Sequence, residues 1–174
     1  MLFLWGCSSG DGIDRALEAR NRFQTTPCRF RATVSADYGA MIHTFVLVCE
    51  ADIQGNVLFS VAAPDTILGI TGRLTGESGF LTFDDEVLAF ELLADGQLSP
   101  VSAPWVMLHT LRGGYLRSCT ETEDGWHLTV NDSYDNNAMQ VDLRLDMSGR
   151  LTGAEILWQG RRILTVKVED FEFV

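Results

Sequence analysis

The sequence has no long apolar segment and few basic residues, and each shortage excludes a class of function. No apolar run approaches the roughly 18 residues that a membrane-spanning helix needs. The 13 basic residues are outnumbered by 24 acidic ones, which gives a net charge of −11. A field of that sign repels phosphate backbones, so a nucleic-acid partner is not expected.

Histidine is also scarce, and this bears on catalysis. The three histidines, His43, His109 and His127, do not have the spacing of metal ligands. No nucleophile and base can be paired in the sequence, so we expect no metal, no other cofactor and no enzyme activity; a hydrolase that uses one of these histidines is an alternative. The Asp-rich segments 121–125 and 132–137 lack the ligand pattern of an EF-hand and are interpreted as solvated turns.

What is present is an ordinary globular composition. The chain has 174 residues, of which 46% are hydrophobic and 21% charged. That length is enough to bury one core, and that composition argues against disorder. The sequence therefore predicts a single domain.

The segment Leu4-Trp5-Gly6-Cys7 resembles a bacterial lipobox, whose cysteine is acylated and becomes the mature N-terminus. Each buried methylene of an acyl chain contributes roughly 0.8 kcal/mol, so an acylated Cys7 would hold the domain on a bilayer. Because no basic residue precedes Gly6, an ordinary apolar N-terminus with a chance cysteine is the alternative. We expect residues 1–12 to be a signal-peptide remnant with a tether, and residues 13–174 to be a domain anchored outside the cytoplasm to the bacterial cell membrane.

The other cysteines, Cys28, Cys49 and Cys119, are an odd set that cannot all pair within one chain. If Tyr38-Gly39 is a two-residue hairpin loop, Cys28 faces Cys49 at the open end of the hairpin. A disulfide is then expected, and two buried reduced thiols are the alternative. Cys119 has no adjacent histidine or acidic residue that would mark a nucleophile, so we interpret it as a small buried side chain.

Two helices are predicted. The first covers an apolar pattern at helical spacing, has Asp11 at its N-cap and ends at 25–27; its apolar positions are Ile13, Ala16, Leu17 and Phe23. The second lies within 99–114, where Ser102 can cap, Pro104 suits the first turn and a glycine can end the helix.

Strands occupy most of the remaining chain. About eleven short runs rich in β-branched and aromatic residues are predicted at 28–36, 41–52, 56–63, 66–74, 79–84, 87–93, 114–121, 126–132, 138–146, 150–158 and 162–173. Short turn signals separate most of them, which favours an antiparallel meander. The segment 45–48 is apolar on both sides, which predicts cover on both faces of the sheet there. The last run changes parity before Phe171, which predicts a bulge.

Large apolar side chains on this sheet and on the second helix are candidates for lining a ligand pocket. These are Phe45, Phe59, Phe83, Phe90, Trp105, Leu108, Trp126 and Trp158. The alternative is a filled core, since aromatic residues at strand spacing commonly serve only packing.

The order of these elements resembles the LolA/LolB-like lipoprotein-carrier superfamily, which includes RseB-type sensors and mycobacterial LppX/LprG-type lipid binders. The similar segments run from Pro64 to Gly72 and from Leu98 to Gly114. The resemblance implies a mainly β (α+β) fold, a single curved antiparallel half-barrel with an N-terminal helix and a helical lid over its concave face. It also implies a hydrophobic cavity for acyl chains.

These observations together predict a function. We expect a monomeric, membrane-anchored extracytoplasmic lipoprotein that binds lipid or another hydrophobic ligand between sheet and helices, as carrier or receptor, with residues 99–112 gating the cavity. The alternative is an envelope sensor or protein-interaction module with a filled core, no ligand and an envelope protein partner.

Overall fold

The computed structural model describes residues 9–75, 81–83, 98–134 and 139–174. Two α-helices lie in these ranges, α1 at Ser9–Thr25 and α2 at Ala103–Gly113. A short 3-10 turn, Pro100–Ser102, leads directly into α2, and another lies at Asp65–Ile67.

Ten strands make up the rest of the described fold. They are β1 Cys28–Asp37, β2 Ile42–Ala51, β3 Val57–Ala63, β4 Thr71–Leu74, β5 Leu81–Phe83, β6 Tyr115–Thr122, β7 Gly125–Asn131, β8 Gln140–Asp146, β9 Leu151–Trp158 and β10 Arg161–Phe173. All pair antiparallel in one sheet, in the order β5-β4-β3-β2-β1-β10-β9-β8-β7-β6. The predicted fold class is confirmed.

The strand predictions differ from the described part of the structure at one place, in the run 66–74. The run predicted at 87–93 lies outside the described residues. The run predicted at 66–74 is a strand only in its second half, because the backbone N–H of Leu68 donates to the Asp65 carbonyl and closes a 3-10 turn.

Alternation along the strands separates a core face from a solvent face. In β1 the side chains of Phe30, Ala32 and Val34 are at most 2% exposed, whereas Arg29 and Arg31 are exposed between them. This is the period of two that a half-buried strand requires. Both helices pack on the buried face, which forms the concave side of the half-barrel.

The prediction that segment 45–48 is covered on both faces is wrong. Phe45 and Leu47 are buried on the concave face, but Val48 points to the convex face and is 39% exposed. Antiparallel sheets tolerate one solvated face, so no second layer is needed.

The first hairpin has a different register from the predicted one. Asp37 pairs with Ile42 across a four-residue loop, and Cys28 therefore pairs with Ala51 rather than with Cys49. The backbone N–H of Tyr38 donates to the Met41 carbonyl at 3.0 Å, which closes this wider loop. The geometric reason for a disulfide across this hairpin is thereby removed, and both thiols are free.

Helix α1 begins earlier than its predicted cap. It starts at Ser9, so Asp11 lies within the helix. Phe23 is fully buried, but Ile13 and Leu17, which were expected on the apolar face, are 51% and 49% exposed. Apart from Phe23, the buried side of α1 is built from Ala16, as predicted, and from Ala19, because their small side chains allow a close approach to the sheet.

Helix α2 lies over the concave face with its apolar residues buried; these include Val106, Met107, Leu108 and Leu111. Pro104 occupies the first turn and Gly114 ends the helix, as predicted. Ser102 does not cap through its side chain, because its hydroxyl donates to the Ser99 carbonyl at 2.6 Å.

The bulge predicted in the last strand is confirmed. The β1–β10 register shifts by one residue between Arg29 and Arg31, and Asp170 in β10 has a φ of 53°. Beyond the shift, Phe171 and Phe173 turn toward Phe23, with ring centroids 5.6 Å and 5.0 Å from it. These contacts fix the C-terminal end of α1 to β10.

Candidate functional site

The predicted pocket residues do not converge on one place. Phe45, Phe59 and Leu108 are buried in the core, at 8%, 3% and 1% exposure. Phe83 belongs to β5, but its side chain lies outside the described part of the structure. The residues Phe90 and Cys7 lie entirely outside it. Trp158 is half-buried at the end of β9, and its Nε1 has no hydrogen-bond partner among the described residues.

Trp105 ties α2 to the turn between β2 and β3. Its indole Nε1 donates to the Gly55 carbonyl at 3.0 Å, and its ring stacks on His109 with centroids 4.5 Å apart. A half-buried tryptophan with a satisfied N–H is typical of a packing position.

The two helices are joined by side-chain hydrogen bonds to backbone carbonyls. Arg20 of α1 donates to Leu111 at 2.8 Å and to Gly114 at 2.7 Å. Arg112 of α2 donates back to Phe23 at 2.8 Å. These bonds satisfy carbonyls that the end of a helix leaves unpaired. The gating movement predicted for residues 99–112 would have to break them.

Trp126, in contrast, borders an opening between α1 and the sheet. We call this opening the α1 cleft. It has a volume of about 120 Å³ and is lined by Arg15, Ala16, Glu18, Ala19, Arg22, Trp126, Leu128, Leu145, Met147, Ser148 and Gly149. Its floor is apolar, because Leu128 and Leu145 are buried and Trp126 lies half-buried beside them.

Charged side chains form the rim of the α1 cleft on the helix side. The Arg15 Nη1 lies 3.0 Å from the Glu18 Oε2, and both side chains are mostly exposed. The Arg22 guanidinium lies over the Phe173 ring at 3.9 Å and donates to the Ser148 carbonyl at 3.2 Å. An apolar floor with a few polar groups at its mouth is the usual composition of a small-molecule site.

Besides a depression of about 280 Å³ beside Pro27, Asp52 and Val174, two still larger ones lie elsewhere on the sheet, and all three are more open than the α1 cleft. One, of about 740 Å³, crosses β2, β3 and β4 and includes the exposed side chains of Val48, Glu50 and Arg73. The other, of about 610 Å³, contains His127, Asp142 and Glu155 among its walls. Their exposed walls leave a bound apolar group in water, so we take the α1 cleft as the candidate site.

Sequence reasoning missed most of this cleft. Arg15, Glu18, Ala19 and Arg22 recur at i, i+3, i+4 and i+7, which places them on one face of α1. The apolar positions alone do not indicate this face of the helix. The signal that indicates it is a small residue, Ala19, with an arginine on either side of it along the helix. That Met147 of the β8–β9 turn lines the cleft could not be predicted from sequence, because it depends on how α1 packs on the sheet.

The three cysteines that the structure describes show no sign of catalytic activation. Burial raises the pKa of Cys28 to about 11, although the nearby Arg112 acts to lower it. Burial also raises the pKa of Cys49, and the neighbouring Cys28 raises it further. Cys119 is half-buried rather than buried, and burial raises its pKa as well. A reactive cysteine needs a lowered pKa.

Histidines and metal-binding groups do not form a centre in the described part of the chain. His109 stacks on Trp105, His43 contacts Tyr38 with ring centroids 5.5 Å apart, and His127 is exposed on β7. Within residues 9–75, 81–83, 98–134 and 139–174, no three His, Cys, Asp or Glu side chains are grouped so that they could hold a metal ion. None of the helices in these ranges is long and apolar enough to cross a membrane.

Comparison with known proteins gave matches only among solved structures: no family model and no curated protein matches the sequence. An uncharacterized conserved protein from Thermus thermophilus is 13% identical, with a TM-score of 0.48 over 93% of this chain and 87% of its own. A LolA superfamily protein from Nitrosomonas europaea is 10% identical, with a TM-score of 0.46 over 97% of this chain and 94% of its own. MucB is 11% identical, with a TM-score of 0.49 over 96% of this chain and 60% of MucB.

A LolA superfamily protein, from the superfamily that the order of elements resembles, is thus among the solved structures similar to this chain. At such identities and TM-scores the likeness concerns the course of the chain alone. It carries no argument about a ligand, which has to be made from the residues of this chain.

Proposed function

We propose that the protein is a non-enzymatic, membrane-anchored lipoprotein outside the cytoplasm that binds an apolar or amphiphilic ligand in the α1 cleft. The observation that carries this proposal is the opening between α1 and the sheet, floored by Trp126, Leu128 and Leu145. An apolar group placed there leaves water and contacts three apolar side chains, which is favourable by roughly 25 cal/mol per Å² buried.

The size of the cleft limits what enters it. An engineered apolar cavity of about 150 Å³ holds one benzene molecule. The α1 cleft, at about 120 Å³, is therefore suited to one ring or a short alkyl segment rather than to a whole lipid tail. A longer ligand would place its first carbons in the cleft and the remainder along the protein surface or in the membrane.

Anchoring through Cys7 would place the cleft close to the bilayer. Helix α1 begins at Ser9, two residues after Cys7, and the rim residue Arg15 follows six residues later. At about 1.5 Å per helical residue, Arg15 is only ~9 Å along the helix from Ser9. A receptor for membrane-derived amphiphiles would benefit from that position.

The binding proposal is tested by closing the cleft. Glu18 is 71% exposed at the rim, so Glu18→Phe should cover the opening without disturbing the core, whereas Glu18→Gln removes the same charge without adding bulk. Binding of octanoate, followed by titration calorimetry on delipidated protein, should fall at least tenfold in Glu18→Phe and should not fall in Glu18→Gln. Equal behaviour of the two variants would contradict the assignment of the cleft.

The anchoring proposal needs a separate experiment in cells. Expressed in bacterial cells behind a lipoprotein signal peptide placed directly before Cys7, the protein should incorporate an alkyne-labelled fatty acid and fractionate with membranes. Cys7→Ser should abolish both, while Cys119→Ser should leave both unchanged. Labelling that survives in Cys7→Ser would show that Cys7 is not the anchor.

A second candidate function is a protein-interaction module without a ligand. It is favoured by the packing under α2, where Met107, Leu108 and Leu111 are at most 1% exposed. Cross-linking in cells would test it, since a defined envelope protein captured equally well by wild type and Glu18→Phe would favour this candidate over ligand binding.

A further inference from the structure

We infer that the ligand of the α1 cleft is an amphiphilic acid, whose anionic group binds between Arg15 and Arg22 while its apolar group rests on Trp126. This inference rests on the proposed function and specifies the ligand class of the same site. The two arginines lie at i and i+7 on α1, about 10.5 Å apart along the helix axis, with Glu18 between them.

The arginines of α1 differ in how their hydrogen-bonding capacity is used. Arg20 is occupied, because it donates to both Leu111 and Gly114. Within the described part of the chain, Arg22 makes one side-chain bond, to the Ser148 carbonyl, and its guanidinium rests on an aromatic ring. Among the same residues, Arg15 bonds only to the exposed carboxylate of Glu18. Most donors of Arg15 and part of those of Arg22 are therefore open to an incoming anion.

The charge around the cleft has the opposite sign to that of the whole chain. The net charge of the protein is −11, but the ionised rim groups are two arginines and one glutamate. The neighbouring Asp146 does not cancel this excess, because its carboxylate already accepts bonds from Ser148 and Arg150. A positive rim on an acidic protein favours an anion at this place over the rest of the surface.

The chemistry of arginine favours an acidic head group over a neutral one. A guanidinium binds a carboxylate through two parallel N–H···O bonds, which is stronger than its contact with a neutral hydroxyl. Exposed pairs at i, i+3 are weak and exchange readily, so Glu18 can turn to solvent when a ligand carboxylate replaces it. The apolar group attached to that carboxylate then reaches Leu128 and Leu145.

The experiment compares three ligands that have alkyl chains of seven or eight carbons and different head groups. Octanoate, octanol and octyltrimethylammonium are titrated calorimetrically into delipidated full-length protein. We expect octanoate to bind at least tenfold more tightly than octanol and the cation to bind most weakly. The advantage of octanoate should shrink as salt is raised, because the rim is exposed.

A variant at the rim tests whether Arg15 causes the preference for octanoate. Arg15→Gln should reduce octanoate affinity to near that of octanol, a loss at least severalfold greater than any loss of octanol affinity in the same variant. Arg31→Gln is the matched control, because it removes one charge from the convex face, where Arg31 lies 3.8 Å from Asp170. An equal loss in both variants would overturn the inference, since a general charge effect would then explain it.

The remaining outcomes separate the inference from the proposed function. If octanoate and octanol bind equally in the wild type, the anionic class is wrong while the apolar cleft stands. If none of the three ligands binds, both the inference and the proposed function are overturned. If octanoate binds preferentially and Glu18→Phe blocks it, both are supported.

Discussion

Close packing at single residues fixes the position of the aromatic side chains in this fold. Phe59 on β3 lies over Gly72, its partner on β4, and a Cβ added at Gly72 would sit 2.6 Å from two ring carbons. Glycine is therefore required beneath the ring, which fills the space that a side chain would take. This contact explains why the Phe59 ring is almost fully buried, at 3% exposure, and is not available as a contact surface for a ligand.

We expect Gly72→Ala to lower the free energy of unfolding by about 1–3 kcal/mol, because the buried ring must leave its position. Gly113→Ala is the control, since a Cβ there meets no atom within 4 Å and α2 gains a better helix former. Urea denaturation of both variants measures the difference. Combining Gly72→Ala with Phe59→Leu should restore part of the loss, and strict additivity of the two changes would contradict this account.

At the scale of elements, the contact between α1 and α2 combines hydrophobic packing with bonds to helix-end carbonyls. Arg20 provides two of these bonds across a sequence distance of more than 90 residues. Such bonds hold the helix pair as one body on the sheet, and they also leave the α1 cleft with a rigid wall.

Replacing Arg20 by Met keeps the apolar stem and removes both bonds to α2. The expected cost is about 2 kcal/mol, because charged donors to carbonyls contribute roughly 1.5–3 kcal/mol each and this side chain is partly exposed. Arg29→Met also removes two bonds of similar length, from Nε and Nη2 to the exposed Glu172, and should cost at most about 1 kcal/mol. Thermal unfolding followed by circular dichroism compares them; equal losses would show that the bonds to α2 are not special.

The turn between β8 and β9 should make stability depend on pH. Partial burial raises the pKa of Asp146, but hydrogen bonds from Ser148 and Arg150 outweigh it and hold the pKa below its ordinary value. A carboxyl with a lowered folded-state pKa stabilises the fold above its unfolded pKa and loses that contribution as the pH falls through the folded value. Asp146 therefore stabilises the fold at neutral pH and not at acidic pH.

Asp146→Asn should accordingly be less stable than wild type at pH 7 by about 1–2 kcal/mol. The difference should narrow as the pH drops below about 4, where the carboxyl of the unfolded chain protonates. Urea denaturation at several pH values measures it, with the exposed Asp124→Asn as control. A difference that stays constant with pH would contradict the assignment.

Elements were largely predictable from sequence, whereas register was not. The alternation in 126–130 and 139–145 reproduces β7 and β8 because one face of each strand is wet. The hairpin register failed by two residues, since Tyr38-Gly39 fits a two-residue turn as well as a four-residue loop. That slip preserves the buried parity of Cys28 and Cys49, so hydrophobic alternation cannot detect it.

At the scale of the whole molecule, one strand joins two halves of the sheet. Strands β1 to β5 form one half and β6 to β9 the other, and β10 lies between β1 and β9. Val166 of β10 is fully buried at this junction and pairs with Val34 on one side and Ala154 on the other. The two halves therefore share one core and should unfold together.

Val166→Thr should lower the stability of both halves by the same amount, about 1–3 kcal/mol, because it buries a hydroxyl. Trp105 reports on the first half and Trp126 on the second, so single-tryptophan versions can follow each half by fluorescence. Lys167→Thr, on the exposed face of the same strand, should shift neither transition. Two separate midpoints would disprove the shared core.

The candidate site shows where sequence reasoning reaches its limit. Trp126 was identified because it is large and apolar, but its partners come from α1 and from the β8–β9 turn. These segments meet only once α1 is placed on the sheet, and no local pattern specifies that placement. The charges of Arg15 and Arg22 were visible, while the opening between them was not.

The central place of β10 also has a consequence for how the protein is made. Val34 acquires its neighbour Val166 only after more than 130 further residues have been synthesised. Until then β1 is an edge strand without its partner β10, and contacts of such high sequence separation form slowly. A nascent polypeptide of this kind stays pliable until its C-terminal strand has been made, and only then becomes rigid.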